Sequence, residues 1–156
     1  MRPRLTVVAP PSVETVVIPE FDVVWLVKEL DASRYVDPLR GQCRADAVVK
    51  ALSRSVNTPT VFIMECDGYY PGLNFVFGLA VPHLKTAVVF TARLRGPQFR
   101  ERLVKEITHE AGHLYGLGHC GDPSCVMYFS NSIYDTDRKS AFFCERCRRR
   151  LYAFFR

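Results

Sequence analysis

This chain reads as a single α+β domain that ends in a small cysteine-rich part. Three observations carry that reading. Its 156 residues suit one ordinary domain, and 48% of them are hydrophobic, with mean hydropathy near zero at -0.01. Short β-rich runs alternate with stretches of helical period. After Gly116 the pattern turns loop-like and holds four of the six cysteines. A chain of this length buries roughly 70% of its unfolded surface, so it needs no disulfide to hold a core.

The elements follow in order. Leu5 to Ala9 predicts a first buried strand, cut off by Pro10-Pro11. That apolar run is too short for a signal-peptide core, which implies the cytoplasm. Pro19-Glu20 opens a stretch with Val23, Val24, Leu26, Val27 and Leu30, read as a helix with Pro in its first turn. Tyr35-Val36 reads as a brief strand. Arg44 to Val56, with Ala45, Val48, Val49 and Leu52 in period, predicts an amphipathic helix. Thr60 to Cys66, Asn74 to Ala80 and Thr86 to Thr91 read as strands, with turns at Asp67-Gly68 and Pro71-Gly72. Gly96-Pro97 announces a long helix whose Phe99, Leu103, Ile107, Ala111 and Leu114 share one face. Gly116 ends it by taking a left-handed conformation. Asp137 is expected to cap a last helix running through Phe142 to Phe155.

The formal charge is +5. Much of it is local, in Arg146, Arg148, Arg149, Arg150 and Arg156, which reads as a solvated helix end complementing the helix dipole. No aromatic-rich or DNA-reading motif accompanies those arginines, so nucleic acid is not an expected partner. No apolar run approaches the ~20 residues needed to span a bilayer.

The chemistry lies at the end of the long helix, in His109-Glu110-Ala111-Gly112-His113-Leu114-Tyr115-Gly116-Leu117-Gly118-His119. Residues four apart on a helix stand one above the other, so His109 and His113 can aim at one metal. At about 100° per residue, both turn away from the apolar stripe of Ile107. Glu110 sits on the flank, placed to reach a water on the metal rather than the metal itself. Gly116 lets the chain double back so that His119 completes the set. Three protein ligands leave a fourth position open, as catalytic zinc sites do.

Cys120 follows at once, then Cys125, then the pair Cys144 and Cys147. That spacing suits a closed four-thiolate zinc site, structural in role, tying the loop of His119 to the last helix. One zinc on neutral histidines and one on four thiolates leave the formal charge unchanged. Cys43 and Cys66 read as buried free thiols, with a bridge between them left open.

Together, His109-Glu110-x-x-His113-x-x-Gly116-x-x-His119-Cys120, Cys125-x-Met127 and Cys144-x-x-Cys147 resemble the archaemetzincins, a branch of the metzincin metallopeptidases. Leu73 to Gly78, Ala92-Arg93-Leu94 and Phe129 to Ser132 extend the resemblance, and the interval from Met127 to Cys144 is one residue shorter than the family pattern. The resemblance implies a zincin-like fold: a twisted, mostly parallel sheet with an antiparallel edge strand, packed on two helices. Residues 1–116 would form the sheet and helices, and 117–156 the part with the third histidine and the four-cysteine zinc. It implies that Met127 forms a tight turn beneath the histidines. Phe129 stands where some metzincins place a tyrosine near the metal, leaving Tyr128 and Tyr134 as candidates to polarise a carbonyl. The expected activity is peptide-bond hydrolysis, aminopeptidase-like on small peptides, by Glu110-activated water on zinc. Two zinc ions, a peptide substrate and a monomeric chain complete the expectation. The alternative is a catalytically silent module that binds partners through its Cys- and Arg-rich end.

Overall fold

The computed structural model describes residues 1–155, and Arg156 of the basic cluster lies outside the described residues. A five-stranded sheet forms the centre, in the order β2-β1-β5-β8-β7. Its strands are β1 (Arg4–Ala9), β2 (Asp22–Val27), β5 (Thr60–Met64), β7 (Gly78–Val81) and β8 (Thr86–Phe90). Four of them run parallel, and β7 pairs antiparallel to β8 at the edge, with Ala80 opposite Ala87. A second sheet of short strands, β3 (Val36–Asp37), β4 (Gln42–Arg44) and β6 (Gly68–Tyr69), sits beside it.

Helices cover both faces of the large sheet. Side chains alternate along a strand, so Val61, Ile63, Ala87 and Val89 join one core and Met64, Val88 and Phe90 the other. Helix α1 (Ala45–Leu52) closes the second core with Ala45, Val48 and Val49. Helix α2 (Phe99–Leu114) closes the first with Leu103, Ile107 and Ala111. Cys120, Cys125, Met127, Cys147 and Leu151 extend that same core, so the C-terminal part packs as a continuation of it.

Three expectations need correction. The stretch after Pro19 is strand β2, parallel to β1 with Leu5 opposite Val23. Its Val-Val-Trp-Leu-Val run is β-branched and aromatic, and one face of it is covered by the sheet core while Val24 and Leu26 stay exposed. Of the strand expected from Asn74, only Gly78–Val81 pairs with β8. The carbonyl of Asn74 is taken instead by the side chains of Gln42 and Arg40, at 2.9 and 3.3 Å. The last helix is two: α3 (Ile133–Arg138) and α4 (Glu145–Phe155). Asp137 caps neither, because Arg102 holds both its oxygens at 2.8 Å and so ties α2 to α3.

Candidate metal centres

Helix α2 ends in a turn that builds half of the histidine site. Gly116 has φ +92°, with its N–H on His113 O and the Leu117 N–H on Gly112 O, both at 3.0 Å. This is the paired bonding of a Schellman ending. The reversed chain presents the Leu117 carbonyl to His113 Nδ1 at 2.7 Å, and Val126 O meets His109 Nδ1 at 2.8 Å. Each carbonyl requires a donor, so each Nδ1 carries the proton and each Nε2 is left with a lone pair. Those two Nε2 atoms face each other at 3.2 Å. With His119, three ring nitrogens lie within 4.8 Å of one another. Burial depresses the pKa of all three rings, most strongly for His109, with Lys139 and the neighbouring histidines adding to the effect there. Neutral imidazoles whose lone pairs converge fit a cation.

Gly112, between the two helical histidines, is where Met127 approaches. A Cβ there would stand 2.5 Å from Met127 Sδ and 3.2 Å from the Phe143 ring. Met127 is fully buried beneath this turn of helix, and its carbonyl accepts from the Cys120 N–H at 3.0 Å. The residues between His119 and Met127 are thereby held to the helix from below.

Glu110 is buried against the wall of the same space. Burial, then the neighbouring Glu106 carboxylate, raises its pKa well above the usual range, and Lys139 opposes them. A Cβ on Gly78 of the edge strand would come 2.8 Å from Glu110 Oε2. The glycine in β7 therefore makes room for this carboxylate. His109, Glu110, His113 and His119 line a cleft of about 570 Å³ whose other wall is Leu73 to Ala80. Phe129 also lines it, its ring 5.0 Å from that of His119. Tyr128 and Tyr134 do not line it, and Tyr134 is exposed.

The cysteines gather in a second cluster. The sulfurs of Cys120, Cys125, Cys144 and Cys147 lie within 4.8 Å of one another, and three of these residues are buried. Donors surround them. Cys120 Sγ accepts from Asp122 N–H at 3.5 Å and Arg146 Nη2 at 3.4 Å, and Cys125 Sγ from the N–H groups of Met127 and Cys144 at 3.4 and 3.3 Å. Burial alone would raise Cys120, but the Asp122 N–H, Arg146 and the adjacent thiols bring it down to about 7. Burial and the neighbouring sulfurs push Cys125 and Cys147 up. The first thiolate thus hinders the next, and four sulfurs gathered this closely fit a soft cation.

The profile of Peptidase family M54 matches residues 12–153, which take in both clusters. The chain belongs to this family. An archaemetzincin from Pyrobaculum aerophilum is 70% identical over 151 residues, covering 97% of each chain. The crystal structure of an archaemetzincin from Methanopyrus kandleri superposes with a TM-score of 0.82 at 36% identity, over 98% of this chain and 95% of that one. A zinc-dependent peptidase from Methanocorpusculum labreanum gives 0.81 at 27% identity, over 94% and 99%. This M54 member is accordingly a zinc-dependent metallopeptidase acting on peptides, and the silent-module alternative is not favoured. No helix among the described residues is long and apolar enough to cross a membrane.

Sequence reasoning missed one group beside the M54 cleft. Lys139 is fully buried, with Nζ 3.5 Å from Glu106 Oε1 and donating to Tyr128 O at 3.2 Å. Thr136 adds its hydroxyl to Glu106 Oε1 at 3.0 Å and lies 3.0 Å from Ser130 Oγ. This network pins α3 and the segment after Met127 to the helix one turn before Glu110. The available signal was Glu106 itself, a charged residue three positions before His109 and so on the histidine side of the helix.

Proposed function

We propose that His109, His113 and His119 hold a catalytic zinc, that Glu110 is the general base, and that Cys120, Cys125, Cys144 and Cys147 hold a second, structural zinc. The observation that carries this is the facing pair of unprotonated Nε2 atoms at 3.2 Å, which repel without a cation between them. Zinc bound there supplies a Lewis acid and lowers the pKa of water towards ~7.

The chain's own groups do the rest. Among the described residues the Glu110 carboxylate has no hydrogen-bond donor of protein origin, and it faces the cleft. It is free to take a proton from the attacking water and to pass it to the leaving amine. Strand β7 is the last in the sheet, so its outer backbone edge is free to pair with an extended peptide. A cleft of about 570 Å³ suits a short peptide, and aminopeptidase-like action on small peptides is part of this reading. A cytoplasmic monomer that does not bind nucleic acid completes the reading.

Digestion of a peptide library, read by mass spectrometry on wild type and Glu110→Gln in parallel, tests the assignment. Cleavage by wild type alone, with two zinc ions per chain by elemental analysis, is the expected result. Equal cleavage by both proteins removes Glu110 from the mechanism, and one zinc per chain removes the cysteine site.

A further inference from the structure

Two thiols belong to neither metal cluster. Cys43, in β4, is fully buried, and Cys66, in the bend after β5, is half-buried. Backbone pairing brings them together. The Cys43 N–H donates to Asp67 O at 2.8 Å, and Cys43 lies opposite Gly68 in the parallel pairing of β4 with β6. Both side chains pack into the core beneath α1. Cys43 Sγ is 3.6 Å from Ala32 O, and each thiol lies near enough to the other to influence its ionisation. We propose that Cys43 and Cys66 form a disulfide that staples the small sheet to the end of β5.

The step is exchange with an external disulfide, small-molecule or protein. Cys66 is the more exposed, so its thiolate attacks first. It bonds to one sulfur of the external disulfide while the other leaves as a thiolate and takes up a proton. Cys43 then attacks Cys66 Sγ and displaces the second external sulfur. The two cysteines give up two electrons and two protons, and one external disulfide becomes two thiols. Burial raises both cysteine pKa values, so exchange is slow at neutral pH and quickens as pH rises.

The staple reinforces the platform under the cleft wall. Gln42 and Asp67, the chain neighbours of the two cysteines, are bonded at 3.0 Å, and Gln42 also holds Asn74 O at 2.9 Å. Arg93 grips both oxygens of Asp67 and lies 4.1 Å from the centre of the Phe75 ring. The proposal does not depend on which residues hold zinc or perform the chemistry.

The test equilibrates zinc-loaded full-length protein with oxidised glutathione at pH 8.5, then maps peptides without reduction. A Cys43–Cys66 linked peptide is expected, with a Tm roughly 5–10 °C above that of the reduced protein, as for a closed loop of about twenty residues. The double variant Cys43→Ala, Cys66→Ala should keep its activity and show no such rise on oxidation. Both thiols remaining fully alkylatable at equilibrium would overturn the proposal. So would an equal Tm rise in the double variant, which would place the stabilising bond among the other cysteines. A linked peptide without a change in Tm would deny that the bond acts as a staple.

Discussion

The histidine cluster and the cysteine cluster share one stretch of chain, His119 being followed directly by Cys120, yet they differ in charge, closure and support. The histidines are neutral donors, three in number, set at the edge of a cleft with His119 exposed. The cysteines are four, mostly buried, and surrounded by N–H donors and Arg146. Neutral donors leave a metal its full charge and an open position, which suits chemistry. Four thiolates outweigh the metal's charge and close it off, which suits tethering. The joint between them is short: Cys120 N–H to Met127 O, and Met127 against Gly112 of the helix. On the proposed reading, the closed site holds the third ligand of the open one.

Breaking the closed site should have the largest effect. Cys144→Ser leaves three thiols for the structural zinc and frees the segment that leads back to His119. A Tm drop of roughly 10–20 °C is expected, as for a loss of about 5 kcal/mol. Elemental analysis should show the thiolate zinc gone and the histidine zinc more easily stripped by chelator. A variant with wild-type melting and metal content would show that the two sites are independent.

Removing the base should affect chemistry alone. Glu110→Gln touches no proposed ligand, so both zinc ions and the fold should remain. Activity should fall by roughly 10²–10⁴-fold, the value of one positioned general base. Loss of the histidine-site zinc in this variant would mean that Glu110 belongs to the metal's own ligand set.

The joint can be strained without touching either ligand set. Gly112→Ala gains up to about 1 kcal/mol of helix propensity. Against that, the new methyl meets Met127 Sδ at 2.5 Å in a fully buried position, with Phe143 closing the other side at 3.2 Å. Overpacking of this kind costs roughly 1–3 kcal/mol, so the clash outweighs the propensity. The expected result is a small net drop in Tm with weaker retention of the histidine zinc, followed by chelator titration. A more stable variant with unchanged zinc affinity would show that the contact with Met127 is loose.

How much of this was legible before the structure depended on whether the signal was local. His109 and His113 are four apart on a helix, Gly116 is a turn residue at the right place, and the cysteines come in close pairs, so both clusters could be read from spacing. The run from Val23 to Val27 could not, because short apolar runs fit strand and helix alike. Only pairing with β1 decides it. Asp137 looked like a cap because its partner, Arg102, is distant in sequence. The Lys139–Glu106 pair, the fit of Met127 against Gly112 and the room that Gly78 leaves for Glu110 are contacts between separate elements. No periodicity reports them.

The smallest predicted effect is the sharpest on the open site, because Gly78 touches the histidine cleft and nothing of the cysteine cluster. A β-carbon there would stand 2.5 Å from Val88 O and 2.8 Å from Glu110 Oε2. The carbonyl belongs to the neighbouring strand and cannot rotate away, so β7 must shift outward by about half an ångström or more. As an edge strand it can do so without disturbing a second neighbour. The carboxylate is the other body in the way, and it must turn from its place beside the strand. Gly78→Ala should therefore lower kcat by about tenfold, equivalent to ~1.4 kcal/mol of barrier, with both zinc ions retained and a modest fall in Tm as the edge strand gives way. If β7 also guides an extended peptide, KM should rise as its edge moves. Unchanged kcat and KM in a folded, fully metallated variant would show that Glu110 does not depend on the space this glycine leaves, and that the substrate does not lie along β7.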